Sequence, residues 1–568
     1  MRRPILVVLA LGASLAFACR RAEKPAPAAA PVPRPTPPPA IAFREAAREM
    51  GIDFTHVTGA TGKKWMPETM GGGVAVLDYD GDGRPDLLFV SGTYWPGDPR
   101  AKQAKSSLAL YRNEGPGPAG LPRFRNATRE AGLERVFYGM GASVADYDND
   151  GRDDVYVTAL NRNFLFHNAG GRFEEVADRA GVRESGWSTS SAWLDFDGDG
   201  RLDLYVCRYV DWSPAKDLFC TLDGKTKSYC TPERYPGSPS HLYRNAGSGR
   251  FVDVTNSAGV GNANQKALGV APWDFDGDGR VDLLVANDTA PNNLFRNKGD
   301  GTFEDVGISA GVAVDEAGRA RGAMGAAWGD IHNAAGSSVA IGNFSNELKS
   351  LYTTETGEVF LDESPRSGVG PSSLLQLTFG VLFFDADLDG RMDLLLANGH
   401  VEPTVQQVQK DVTYAQAPSL FRNAGGGRFD ALGDRAGDLA RPLVARGAAA
   451  ADLDGDGDVD VILVENGGPA RVYLNPTNAP SRSVRLRFVG SSSNHDAVGA
   501  RVAASTGGRT LTQQVSGGQS YLSASEKTLT FGVGDAAKID SLEIRWPDGK
   551  TQKLENVEGG ARLRIEEK

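Results

Sequence analysis

The sequence predicts an all-β chain: a seven-bladed β-propeller followed by a smaller β-sandwich-like domain. Three observations predict it. An acidic segment, Asp-x-Asp-x-Asp-Gly-x-x-Asp, occurs six times. A Phe followed eight residues later by Gly occurs seven times, as does a Leu-Tyr-Arg-Asn-like segment. Seventy glycines in 568 residues, with few long apolar-periodic stretches, suit short strands joined by turns.

The acidic segments carry the chemistry. The first is Asp78, Asp80, Asp82 and Asp86, with Gly83 at position 6 and Arg84 at position 7. The second is Asp146, Asp148, Asp150, Arg152 and Asp154; the third is Asp195, Asp197, Asp199, Arg201 and Asp203. Then come Asp274, Asp276, Asp278, Arg280 and Asp282, and Asp385, Asp387, Asp389, Arg391 and Asp393. The last is Asp452, Asp454, Asp456, Asp458 and Asp460. Carboxylates crowded this closely resist ionisation unless a cation offsets them. Ca2+, a hard cation that takes oxygen ligands, fits best. About six Ca2+ sites are expected, with carboxylates at positions 1, 3, 5 and 9 and the position 7 carbonyl as ligands. An EF-hand is excluded, because position 12 is apolar (Phe89, Val157, Val285) and the flanks are strand-like. Val74 to Leu77 before the first loop and Leu87 to Val90 after it make the loop a hairpin tip.

The other landmarks count the units. Phe and Gly recur at Phe43/Gly51, Phe124/Gly132, Phe173/Gly181, Phe251/Gly259, Phe303/Gly311, Phe360/Gly368 and Phe429/Gly437. The Leu-Tyr-Arg-Asn-like strands start at Leu110, Leu165, Leu242, Leu294, Leu351, Leu420 and Val472. In the fifth unit the loop slot holds Asp330-Ile-His332-Asn-Ala-Ala-Gly-Ser-Ser338, which has lost three carboxylates and the position 6 Gly. Four strands per unit and seven units make a propeller. Phe43's strand is expected to complete the last blade beside Val472, leaving no long unpaired edge.

Formal charge is −11, which six bound Ca2+ would offset. Nothing points to nucleic acid. Arg2-Arg3 and the apolar run Ile5 to Ala18 read as a signal peptide, too short for a mature transmembrane helix. The run ends Leu15-Ala-Phe-Ala-Cys19, which resembles a bacterial lipobox, so Cys19 is the expected lipid anchor; cleavage after Ala18 would instead release a secreted form. Arg20 does not favour inner-membrane retention, which points to the outer membrane or cell surface. Residues 20–40 are a Pro/Ala-rich tether reaching about 60 Å at about 3.1 Å per residue. Cys220 and Cys230 are the expected disulfide and Cys207 a buried thiol, although three cysteines leave other pairings open.

The expected domains are 1–19 signal peptide, 20–40 linker, 41–480 propeller and 481–568 C-terminal domain. Gly499-Ala-Arg501-Val, Gly517-Gly-x-Ser520-Tyr521-Leu-Ser523, Phe531-Gly-Val-Gly534 and Ile544-Arg-Trp546-Pro-Asp-Gly549 resemble the ASPIC/UnbV domain. The acidic repeats resemble FG-GAP, or VCBS-type, calcium repeats. Together the chain is similar to bacterial members of the cartilage acidic protein family. That resemblance implies an extracellular calcium-binding protein associated with adhesion. It also implies nothing from the EGF-like module of some animal members, which has no counterpart after the ASPIC-like segment.

No Gly-x-Ser-x-Gly, His-Glu-x-x-His or P-loop is present, and the six histidines form no catalytic spacing. His167 reads as a strand-face residue, His332 as a filler of the degenerate loop, and His400 as a residue near the rim or channel. The preferred expectation is a binding or adhesion module for a protein or glycan, with Tyr94-Trp95 and Tyr209 to Trp212 as candidate contacts. The alternative is a calcium-dependent extracytoplasmic enzyme acting on a glycan or other polymer at the channel mouth.

Overall fold

The computed structural model describes residues 41–117, 120–477, 479 and 482–568. The expected signal peptide, Cys19 and linker lie outside the described residues. Seven four-stranded antiparallel sheets follow one another, six of them in chain order from axis to rim. Their first strands are Val74–Leu77, Gly139–Ala145, Ser188–Leu194, Ala267–Trp273, Ala323–Gly329, Thr378–Phe384 and Ala445–Ala451. Strands converge at the axis, where space is short; in blade 7, Ala445–Ala451 reads ARGAAAA, all small but Arg446. Blade 7 is composite, with Arg44–Glu45 paired to Ala470–Leu474 as expected.

Two repeated devices join the blades. The landmark Gly of each unit lies against the carbonyl of the next unit's landmark Phe, at all seven junctions. A side chain at Gly437 would come within 2.5 Å of the Phe43 carbonyl oxygen, so this contact seals the ring only with glycine. The second device is the Asn of the Leu-Tyr-Arg-Asn strand. Its buried amide donates to the position 2 carbonyl of the preceding blade's loop: Asn113 to Leu453 (3.0 Å), Asn168 to Tyr79 (2.9 Å), Asn245 to Tyr147 (2.8 Å) and Asn297 to Phe196 (2.8 Å). Asn423 to Ile331 and Asn475 to Ala386 (both 2.9 Å) extend the series to six junctions. At the seventh, Thr354 stands in the Asn slot.

The C-terminal domain is two small sheets. Ser483–Val489 lies between Leu529–Gly532 and Arg562–Glu566; the other sheet runs Arg509–Gln514, Arg501–Thr506, Lys538–Arg545, Thr551–Glu558. Its core, including Val484, Phe531, Ile544 and Trp546, is continuous with Tyr147, Trp193 and Leu202 of blades 2 and 3. The domain covers the face of the ring that carries the acidic loops. Arg545 donates to Asp278 O (2.8 Å), Arg501 to Ala335 O (2.9 Å), Arg509 to Asp389 O (2.9 Å), and Arg562 to Gly455 O.

From this domain, the segment Gly517 to Ser525 enters the channel. Inner strands of a ring present unpaired backbone groups to the axis, and the segment takes them up. Trp193 N donates to Gly517 O (3.0 Å), Ala142 N to Leu522 O (3.1 Å) and Val76 N to Ala524 O (2.9 Å); Ser520 N donates to Ala326 O (2.7 Å). Hydroxyls of Ser520, Ser523 and Ser525 accept from Val381, Val74 and Ala450. Buried Tyr521 reaches farthest and donates to Met70 O (2.8 Å). A side chain at Gly73 or Gly141 would lie 2.1 or 2.6 Å from Leu522 O, so both positions leave room for the plug.

Replacing Asn297 by Ala should cost about 2 kcal/mol in denaturant unfolding, because two buried carbonyls lose their donor. Gly141→Val should lift the plug: amide exchange is expected to rise at Ala142, Val74 and residues 520–524, ahead of the outer strands.

Candidate metal centres at the loop face

Each acidic loop is organised by its own carboxylates. The position 1 Asp accepts the backbone N–H of position 6 in every loop, and in four of the six acidic loops that of position 5 as well, as at Asp78 (Asp82 N 3.0 Å, Gly83 N 2.9 Å) and Asp385 (Asp389 N 3.0 Å, Gly390 N 2.7 Å). The position 9 Asp ties loop to blade. Asp86 accepts from Tyr79 N (3.1 Å) and Asn113 N (2.7 Å), and Asp154, Asp203, Asp282, Asp393 and Asp460 repeat the pattern. Position 7 arginines Arg84, Arg152, Arg201, Arg280 and Arg391 work through their side chains: each donates to the carbonyl of the blade's structural Asn and pairs with the position 5 carboxylate.

Carboxylate oxygens converge. Those of Asp78, Asp80 and Asp82, of Asp146, Asp148 and Asp154, of Asp195, Asp197 and Asp199, and of Asp274, Asp276 and Asp282 each lie within 4.8 Å of one another. That spacing suits a cation with oxygen ligands at about 2.3–2.6 Å. Asp80 Oδ1, Asp274 Oδ1 and Asp387 Oδ1 are buried without a hydrogen-bond donor. Unpartnered buried acceptors are costly, and a hard cation would satisfy them. The residues therefore fit Ca2+. Burial, reinforced by neighbouring carboxylates, pushes Asp86 up to about 8 and Asp154 up to about 7. Asp203, Asp282, Asp393 and Asp460 are held well above the usual carboxylate range for the same reason.

The loops are not equivalent. His167 in loop 2, expected on sequence to be a plain strand-face residue, joins the acidic cluster: its Nδ1 lies 3.3 Å from Asp154 and 3.4 Å from Asp148. Arg422 bridges Asp387 (2.6 Å) and Asp389 (2.9 Å) in blade 6. In blade 7, Asp452 pairs with Arg485 and lies 3.4 Å from Arg562, both from the C-terminal domain, while Asp454 is pushed up to about 6 by burial. Loop 5 has replaced ligands with backbone: Asp330 accepts N–H groups from His332 (3.2 Å), Ala334 (3.3 Å) and Ala335 (2.9 Å), and Ala335 O receives Arg501.

Cys220 and Cys230 are joined by a disulfide in the insertion after loop 3, and Cys207 is a buried free thiol. Of the aromatic candidates, Tyr94 is half-buried with the Arg100 guanidinium over its ring at 4.7 Å, and the others are not a contact surface. Trp95, Tyr209 and Trp212 are buried in one cluster with Trp187, Met66 and Met70 at the channel end opposite the loops. Insertions rich in aromatics fold inward there because the ring leaves an apolar mouth to cover.

The comparisons with known proteins agree with this architecture. The ASPIC and UnbV family model matches residues 490–568. The FG-GAP-like repeat model matches 78–157, 146–206, 216–285, 274–333 and 385–463, more than half of the chain. Cartilage acidic protein 1 from Xenopus tropicalis is 27% identical over 506 residues, covering 86% of this chain and 63% of that protein. The Homo sapiens protein of the same name is 28% identical over 508 residues, covering 84% and 60%. The chain thus spans about three fifths of these relatives' length. A lectin from Agrocybe aegerita that recognises terminal N-acetylglucosamine aligns at 15% identity and TM-score 0.36, over 70% of this chain and 87% of its own. The two domain types mark an extracellular-type binding module. With acidic hairpin repeats closing a ring and a matched C-terminal cap, the chain belongs to the FG-GAP-like repeat family and carries an ASPIC/UnbV domain.

Proposed function

We propose that this chain is an extracytoplasmic, calcium-loaded propeller, tethered through Cys19, that serves as a binding or adhesion module for a protein or glycan. One observation carries the calcium reading: within single loops, carboxylate oxygens gather in sets of three within 4.8 Å, with buried acceptors left over. The loops beginning at Asp78, Asp146, Asp195, Asp274, Asp385 and Asp452 would hold the ions, with position 1, 3, 5 and 9 carboxylates as donors. Loop 5 would hold none. Calcium supplies positive charge at the hairpin tips and no reaction chemistry; the role is structural.

The same loops present their carbonyls to Arg501 (through Asp274 O), Arg509, Arg545 and Arg562 of the cap. Ordering a loop therefore also orders a docking point for the cap. The plug occupies the channel from this side, which disfavours the enzymatic alternative at the loop-side mouth. A rigid ring with an outward rim suits display to a macromolecular partner.

With millimolar calcium at ten times the dissociation constant, each site would add about 1.4 kcal/mol. Excess EGTA should lower the melting temperature of the purified protein, and metal analysis before chelation should find about six Ca2+ per chain. An unchanged melting temperature would refute the structural role. Asp199→Ala should remove a single ion and loosen blade 3 first.

A pH experiment follows from the raised carboxylates. Without the ion, Asp86 and Asp154 bind protons more tightly folded than unfolded, so the stability they contribute is complete below about pH 4 and lost as pH rises through their folded values of about 8 and about 7. In EGTA the melting temperature should fall between pH 5 and 8, and excess Ca2+ should oppose that fall.

A further inference from the structure

The channel mouth opposite the loops holds a pocket of about 200 Å3. Its floor is apolar: Met66, Met70, Met324, Phe344 and Phe379 line it, with the plug's Tyr521 packed on Phe379 at 4.9 Å. One wall is the insertion held by the Cys220–Cys230 disulfide, which contributes Tyr229. The facing wall starts at His400, at the end of the second strand of blade 6.

His400 is 4% exposed. Its Nδ1 accepts the backbone N–H of Glu402 at 3.0 Å. The neutral ring must then carry its proton on Nε2. That makes Nε2 a hydrogen-bond donor and disqualifies it as a metal ligand, even beside three methionine thioethers. Yet Nε2 is buried with no hydrogen-bond partner, the ring itself packing edge-on against Phe344 at 5.4 Å. A buried donor left unpaired costs free energy, and here it lines a cavity large enough for a small molecule.

The charged groups around the mouth already have hydrogen-bond partners. Lys64 pairs with Glu402 (3.0 Å), and Tyr209 donates to Asp288 (2.6 Å). Arg446 is wholly buried and donates to the carbonyls of Thr69 (2.5 Å), Ala445 (2.6 Å), Gly399 (3.0 Å) and His400 (3.2 Å), while its guanidinium stacks on Phe379 at 4.0 Å. Among the described residues lining the pocket there is no Lys or Arg to hold an anion, and Glu402 is already paired. From this geometry we propose that the mouth opposite the loops binds a compact, uncharged, mostly apolar molecule that presents a carbonyl or ether oxygen to His400 Nε2–H. The pocket lies away from the acidic loops, and this inference does not rest on calcium.

Acetophenone and α-methylstyrene share a shape and differ by an oxygen against a methylene, so they test it as probes. Ligand-observed NMR on the purified full chain should show acetophenone binding at least tenfold tighter than α-methylstyrene. His400→Phe should erase that difference, and His400→Gln, which keeps an N–H donor, should restore part of it. Met324→Trp should block both probes by filling the floor. Equal affinity of the two probes for the unmodified protein, no detectable acetophenone binding, or binding that survives Met324→Trp in a folded variant would each overturn the proposal.

Discussion

Closing seven hairpin-bearing blades into a ring forces every acidic tip onto one face, and the resulting density of negative charge is the constraint around which the rest is built. Backbone amides take part of it: each position 1 and position 9 Asp accepts N–H groups from its own loop or blade. Arginines take another part, from position 7, from the third strands, and from the cap. What remains is a set of buried oxygens with no donor. Loop 5 shows the alternative solution. Having lost three carboxylates, it keeps the same turn with backbone bonds to the remaining Asp330.

The cap turns this face into an interface. Its basic side chains address loop carbonyls, its core merges with that of blades 2 and 3, and its glycine-serine segment satisfies the axial edges of the inner strands. Cap and ring thus share hydrophobic and hydrogen-bonded surfaces too extensive for two independently moving domains. The inner glycines are small because a foreign backbone passes within contact distance of them.

The two ends of the channel differ accordingly. One is closed by the plug and dominated by charge. The other is apolar, walled by insertions between second and third strands, and its pocket is lined by the unpaired Nε2 of His400. Aromatic residues that look like a surface in sequence are buried in that end, since an apolar mouth without a cap must be covered by whatever the insertions supply.

Periodicity made the ring legible. Six acidic segments, seven Phe/Gly pairs and seven Leu-Tyr-Arg-Asn-like strands determined blade number, strand order and the closure by Arg44–Glu45, because each landmark is a local requirement of turn or strand repeated in register. The cap's family likeness was equally local, carried by short glycine-rich motifs. Relations between units were not legible. Nothing in the spacing said that Asn297 answers to Phe196, that His167 joins its loop's carboxylates, or that Gly517 to Ser525 threads the axis. Those are contacts between residues tens to hundreds of positions apart, and only closure of the ring brings them within hydrogen-bonding distance. His400 marks the same boundary: its sequence context named a residue near the channel, but its tautomer and its unpaired proton depend on one backbone amide and one cavity that exist only in the folded chain.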